Sequence, residues 1–172
     1  MLVIEIPWDP YIATFGGILL SWHGFFSAVG VVAGVQLSLR RGRVVGYDED
    51  AAYTLALIGV PSGIIGARLL FVWERGDWDL ARVIAINEGG ISIWGAILGG
   101  VIGAVAFALW RHYPVGRGLD IAAFGIILGQ AIGRLGDLVN GEHLGRPTEL
   151  PWGVIYTHPD SPAWVHSLTV GA

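Results

Sequence analysis

The sequence has no cysteine and no lysine, a single methionine, and only 14% charged residues in 172. Without cysteine there is no disulfide, no thiolate nucleophile and no Cys-ligated metal. Charge that scarce does not cover a water-soluble globule, for which about a quarter of the residues is usual. The ten basic residues are all arginine, form no patch and sit in a chain of net charge −4, which argues against a nucleic-acid partner. A basic leader region is missing too. Glu5 and Asp9 stand where it would be, so a short outside segment followed by an uncleaved first span is expected.

What the chain does have is 53% hydrophobic residues, a mean hydropathy of +0.61, 27 glycines and eight tryptophans. The glycines follow no period of three, which excludes collagen. Apolar composition and abundant glycine coincide in membrane helices, where glycine permits close packing. The predicted fold is all-α: a polytopic integral membrane protein with four transmembrane helices, one membrane domain over 1–172.

Residues 11–39 contain no Asp, Glu, Lys or Arg, which is longer than the roughly 20 residues needed to cross the hydrocarbon. The first span is therefore predicted at 18–39, stopped by Arg40, Arg41 and Arg43. The second, 51–73, carries the single charge Arg68 and is interrupted by Pro61, Gly63 and Gly66. The third, 89–110, is uncharged. The fourth, 119–139, has Asp120 at its start and Arg134 and Asp137 near its end. A segment over 140–172 follows.

Three arginines lie in the 40–50 loop and two in the shorter 111–118 loop. The positive-inside rule assigns both loops to the cytoplasm. The N-terminus, the 74–88 loop and the 140–172 segment are then extracytoplasmic. On that reading His23, Arg68, Trp94, Arg134 and Asp137 converge on one membrane depth, facing the outer leaflet.

Arginine inside a span is costly and is usually kept for a partner, a pathway or a ligand. Arg68 either snorkels or faces an anion. Arg134 either pairs with Asp137 at i,i+3 on the helix surface or faces an anion itself. Two guanidinium groups at headgroup depth suit a phosphate, since each offers a forked set of donors and stays charged. Asn140, Gly141, Glu142, Gly145 and Arg146 form a polar, glycine-punctuated run. It reads either as a turn or as groups that orient an arginine or a headgroup hydroxyl. His23 is either a hydrogen-bonded structural residue or an acid–base group. Trp94 reads as a packed or interfacial aromatic. His143, His158 and His166 match no zinc spacing.

The run Gly133-Arg134-Leu135-Gly136-Asp137-Leu138-Val139-Asn140-Gly141-Glu142, with Gly145-Arg146 and Pro151-Trp152-Gly153-Val154, resembles the signature of the prolipoprotein diacylglyceryl transferases. Ser21-Trp22-His23-Gly24-Phe25, the stretch Gly63 to Leu69 and Gly89-Gly90-Ile91-Ser92-Ile93-Trp94-Gly95-Ala96 resemble further segments of that family in the same order. The resemblance implies a multi-pass enzyme of the bacterial inner membrane, N-terminus outside. It would move the diacylglyceryl group of phosphatidylglycerol onto the lipobox cysteine thiol of a prolipoprotein signal peptide, forming a thioether and releasing glycerol phosphate. It implies no metal and no organic cofactor; the partners are phosphatidylglycerol, the signal peptide and membrane lipids.

Arg134 matches the family's essential signature arginine, and with Glu142, His23 and Asp137 it makes up the expected catalytic residues. Arg68, Asn140, Gly145, Arg146 and Trp94 are the expected substrate-binding residues. The family usually has Tyr where this chain has His23, Asn where it has Asp137, and a functional His where it has Trp94. Tryptophan accepts no proton, so a base at position 94 is lost. His23 across the same cavity is one substitute and Asp137 another. Asp137 could instead neutralise the phosphate-binding arginine. Family members continue past the stretch matched by Leu168–Ala172, so a fragment or shortened relative is expected, its last stretch polar and without a closing element. Two other readings stand beside the enzyme. One is a weak or inactive relative that binds anionic lipid or lipoprotein signal segments. The other is a small transporter subunit.

Overall fold

The computed structural model describes residues 4–16, 18–76, 83 and 90–170. Gly89, the expected first residue of the third span, lies outside these, as does most of the 74–88 loop. The element order is β1 (Ile4–Ile6), β2 (Tyr11–Phe15), β3 (Ile18–Ser21), α1 (Trp22–Val44), α2 (Glu49–Arg75), α3 (Ile93–Trp110), α4 (Val115–Asn140), β4 (Val154–Tyr156) and α5 (Pro162–Val170).

Helices α1 to α4 are each long and apolar enough to cross a bilayer. Their large apolar side chains stay exposed: Val32, Leu57, Ile102 and Ile127 are each more than 60% accessible. In water such surfaces would associate, whereas lipid is their natural solvent. The protein is a polytopic all-α membrane protein.

Local chemistry sets the helix ends. Ser21 Oγ accepts the Gly24 N–H at 3.0 Å, so Ser21 caps α1. The first helix thus begins later than the predicted 18, because Ile18–Ser21 pairs with Tyr11–Phe15 as an antiparallel hairpin. Asp48 caps α2 by accepting the Ala51 N–H at 2.6 Å, and Glu49 and Asp50 follow in its first turn, where the helix dipole favours acids. Gly76 closes α2 in the left-handed region at φ 68°.

The chain divides into two compact units, Val35–Gly125 and Met1–Gly34 with Ile126–Ala172. In the Val35–Gly125 unit, α2 packs along α3. A Cβ at Gly66 would lie 2.8 Å from the Gly99 Cα, so only glycine permits this backbone approach. At the opposite end of α2, Tyr47, Ala51 and Ile121 form a small buried cluster with Ala52, Leu55 and Tyr113.

In the other unit, Gly30 and Gly129 bring the N-terminal half of α1 against the C-terminal half of α4. Strands β1 and β4 pair in parallel, Ile4 opposite Val154 and Ile6 opposite Tyr156. The stretch after α4, expected to lack a closing element, instead ends in α5. Pro162 begins that helix, where its missing N–H costs nothing, and the Ser161 carbonyl accepts the Val165 N–H at 3.1 Å.

Candidate active site

The site is built where α1 begins and α4 ends. His23 is the second residue of α1, and the helix start is fixed from outside: the Pro10 carbonyl accepts the Trp22 N–H at 3.2 Å and the Asp9 carbonyl accepts Trp22 Nε1–H at 3.1 Å. Gly136 then lets α4 come close. A Cβ there would lie 2.8 Å from the His23 Cα and 3.1 Å from the Trp22 carbonyl oxygen. This approach seats Asp137 beside His23.

Asp137 is 8% exposed and organises the cluster. Its Oδ1 lies 2.6 Å from His23 Nδ1. Its Oδ2 accepts Arg134 NH1 at 2.8 Å and lies 3.2 Å from His143 Nδ1. A carboxylate only accepts hydrogen bonds, so the His23 ring donates from Nδ1, and in the neutral ring the lone pair is then on Nε2. That is the tautomer of a general base, held in place by an anion that also stabilises the imidazolium.

The chain turns sharply to complete the arrangement. Gly141 has φ 73°, and the Gly141 and Glu142 N–H groups both reach the Asp137 carbonyl, at 2.9 and 3.3 Å. The turn folds Glu142 back, so its Oε2 lies 3.5 Å from His23 Nδ1 while its Oε1 accepts Asn140 Nδ2–H at 2.8 Å. Asn140 is buried, and its Oδ1 has no hydrogen-bond partner. The following segment locks the helix end: Tyr156 donates its hydroxyl to the Leu138 carbonyl at 2.6 Å, and Ser161 donates to the Asn140 carbonyl at 3.1 Å. Burial pushes the Tyr156 phenol above its ordinary value of 10.0, which keeps it a donor.

Five of the nine expected site residues, His23, Arg134, Asp137, Asn140 and Glu142, come together here. Arg134 pairs with Asp137 at i,i+3; its side chain is 63% exposed and four of its five N–H donors lie outside that bond. Glu142 engages Asn140 and His23 rather than an arginine. Gly145 and Arg146 follow on an exposed stretch.

Arg68 and Trp94 belong to the Val35–Gly125 unit. Arg68 is 5% exposed, donates NH1–H to the Gly90 carbonyl at 2.9 Å and stacks over the Phe71 ring at 5.5 Å. It is a buried tie between α2 and the run that opens α3, where the Ala67 carbonyl also accepts the Ser92 N–H at 3.0 Å. Trp94, in the first turn of α3, is 67% exposed.

His143 escaped the sequence reading, because its spacing to the other histidines is uninformative. The available signal was its place directly after Glu142. Tyr156 and Ser161 gave no signal at all. His23, Asp137 and Glu142 each offer a ligand atom within 4.8 Å of the others, as do Asp9, His158 and Asp160. In the first group Arg134 holds Asp137 Oδ2 and His23 Nδ1 meets Oδ1. In the second, Asp9 Oδ1 accepts the Tyr11 N–H at 2.8 Å.

A multi-pass membrane protein with a His–Asp–Arg cluster where one spanning helix begins and another ends is the class this geometry defines. The family model of the prolipoprotein diacylglyceryl transferases matches residues 10–168, and the chain belongs to that family. It is 39% identical over 165 residues to the phosphatidylglycerol–prolipoprotein diacylglyceryl transferase of Dehalococcoides mccartyi, covering 94% of this chain and 63% of that protein. Its counterpart in Trichormus variabilis is 40% identical over 147 residues, 83% of this chain and 52% of the relative. That of Thermoanaerobacter pseudethanolicus is 36% identical over 149, 84% and 58%. The chain thus spans between half and two thirds of the length of the curated relatives it matches. Family membership and the four spanning helices make it a multi-pass protein of the bacterial inner membrane.

Proposed function

We propose that this chain takes part in transfer of the diacylglyceryl group of phosphatidylglycerol to the lipobox cysteine of a prolipoprotein, releasing glycerol phosphate. The observation that carries the reading is the carboxylate of Asp137 shared between His23 and Arg134, within the run from Gly133 to Arg146 that resembles the family signature. Thiolate, not thiol, is the nucleophile. His23 Nε2 takes the S–H proton, with Asp137 as the residue that positions and charges it. The sulfur then attacks the glycerol carbon bonded to phosphate oxygen. Arg134 meets the negative charge that gathers on the departing phosphate. Glu142 holds Asn140 and flanks His23. Arg68, Asn140, Gly145, Arg146 and Trp94 are proposed on the substrate-binding side.

The proposed orientation rests on the positive-inside rule applied to α1. His23 and Arg41 lie 18 residues apart on one helix, about 27 Å along its axis. With the arginine end in the cytoplasm, the His23 end faces outward, and the N-terminus and the 140–172 segment are extracytoplasmic.

Transfer from labelled phosphatidylglycerol to a lipobox peptide tests this reading. His23→Phe should lose thioether formation, and full activity in that variant rejects the base role. The exposed Trp94, which accepts no proton, favours one second reading: a relative that binds anionic lipid or signal segments without forming product. Binding with no thioether, even after the chain is extended with a family C-terminal part, would select it.

A further inference from the structure

Arg134, Asp137 and Glu142 together carry one net negative charge, a poor balance for gripping a phosphate. His143 changes it. Its Nδ1 approaches the same Asp137 Oδ2 that Arg134 holds, and the Arg134 and His143 side chains are more than 60% exposed while the Asp137 side chain is 10% exposed. One buried carboxylate therefore anchors two accessible donors side by side. With Nδ1 on Asp137, Nε2 is the ring nitrogen left to meet a ligand. With its proton on Nδ1 the neutral ring offers only a lone pair at Nε2, whereas the imidazolium donates from both nitrogens.

We propose that His143 and Arg134 form an anion clamp that grips the phosphate of the substrate headgroup, with the His143 imidazolium donating to the departing phosphate oxygen. The proposal rests on the transfer reading above. In that step the S–C bond forms as the C–O bond to phosphate breaks, and the electron pair of the C–O bond passes to the phosphate oxygen. The thiol proton is on His23, and the Nε2 proton of His143 goes to the phosphate. Exchange with water then resets both rings, so one proton moves from thiol to product. The charged groups around His143 are Asp137 and Arg134 from α4, His23 from α1 and its own neighbour Glu142.

Sulfate is the probe, because it stays a dianion from pH 6 to 8 and any pH dependence belongs to the protein. The detergent-solubilised chain should bind sulfate about threefold to fivefold more tightly at pH 6 than at pH 8, the range expected of an exposed charge contact. His143→Gln should abolish that difference, while His143→Lys should keep the tight binding at both pH values. Equal melting temperatures of the three proteins would show that folding is not the cause. Unchanged pH dependence in His143→Gln, or no sulfate binding by the wild type, overturns the clamp. In a second arm, vesicles of phosphatidylglycerol and a lipobox peptide are supplied. The clamp predicts a raised KM for the lipid in His143→Gln, and an unchanged KM overturns its headgroup role. Sulfate binding as expected with no thioether from the wild type leaves the anion site standing and removes the transfer reading.

Discussion

His23 and Asp137 are 114 residues apart in sequence and meet at 2.6 Å between imidazole Nδ1 and carboxylate Oδ1. The pair is ionisable on both sides, and it is held from behind by a glycine, Gly136, that no other residue type can replace without moving a backbone. Each half has a use only in the presence of the other. The carboxylate selects the tautomer, and the ring gives the buried charge a partner.

That dependence predicts non-additive kinetics. His23→Phe and Asp137→Asn should each lower lipid transfer by about 10²–10⁴-fold, the usual worth of a positioned acid–base group. The double variant should lose little more than His23→Phe alone, measured as kcat/KM in a double-mutant cycle. Losses that multiply would show that the two residues act separately.

Gly136→Ala should unfold more easily than wild type by roughly 1–3 kcal/mol, because the added methyl overpacks against the His23 backbone. Thermal unfolding in detergent measures it. Gly145→Ala, where a Cβ meets nothing within 4 Å, is the matched control and should leave stability unchanged.

Tyr156→Phe removes the hydrogen bond to the Leu138 carbonyl and should cost about 1 kcal/mol. Burial raises the phenol in the folded state above 10.0. Its contribution is therefore whole below pH 10 and is lost as pH rises through the folded-state value. Wild type and Tyr156→Phe should converge in stability at strongly alkaline pH.

Trp94→His should fold normally, since an exposed side chain rarely contributes more than about 0.5 kcal/mol. A gain in thioether formation in this variant would show that the wild type lacks a base. No gain is the expected outcome where His23 supplies the base.

The absence of native cysteine makes topology directly measurable. Val45→Cys and Gly116→Cys should react with an impermeant maleimide only from the cytoplasmic side, and Thr148→Cys only from outside. The reverse pattern would place the His23 cluster at the inner leaflet.

The four spanning helices were legible because uncharged stretches of bilayer length have few other uses, and Arg40, Arg41 and Arg43 mark where the first one stops. Strands β1 and β4 were not legible, since three residues carry no periodicity and their pairing is long-range. Helix α5 was missed in a stretch read as polar and turn-rich, although Ser161-Pro162 is a recognisable helix start. The residues at the candidate site were visible as unusual charges at a common depth, but their connections were not. That His23 touches Asp137 depends on the closeness of two helices at Gly136. That Glu142 and His143 turn back onto it depends on the left-handed Gly141, which a sequence marks only as a turn.

The parallel pairing of Ile4 with Val154 cannot form until the chain has been made 150 residues beyond Ile4. During synthesis β1 stays without this partner until all four spanning helices have been made. The contact of His23 with Asp137 likewise waits for the end of α4, so a half-made chain carries the histidine without its carboxylate.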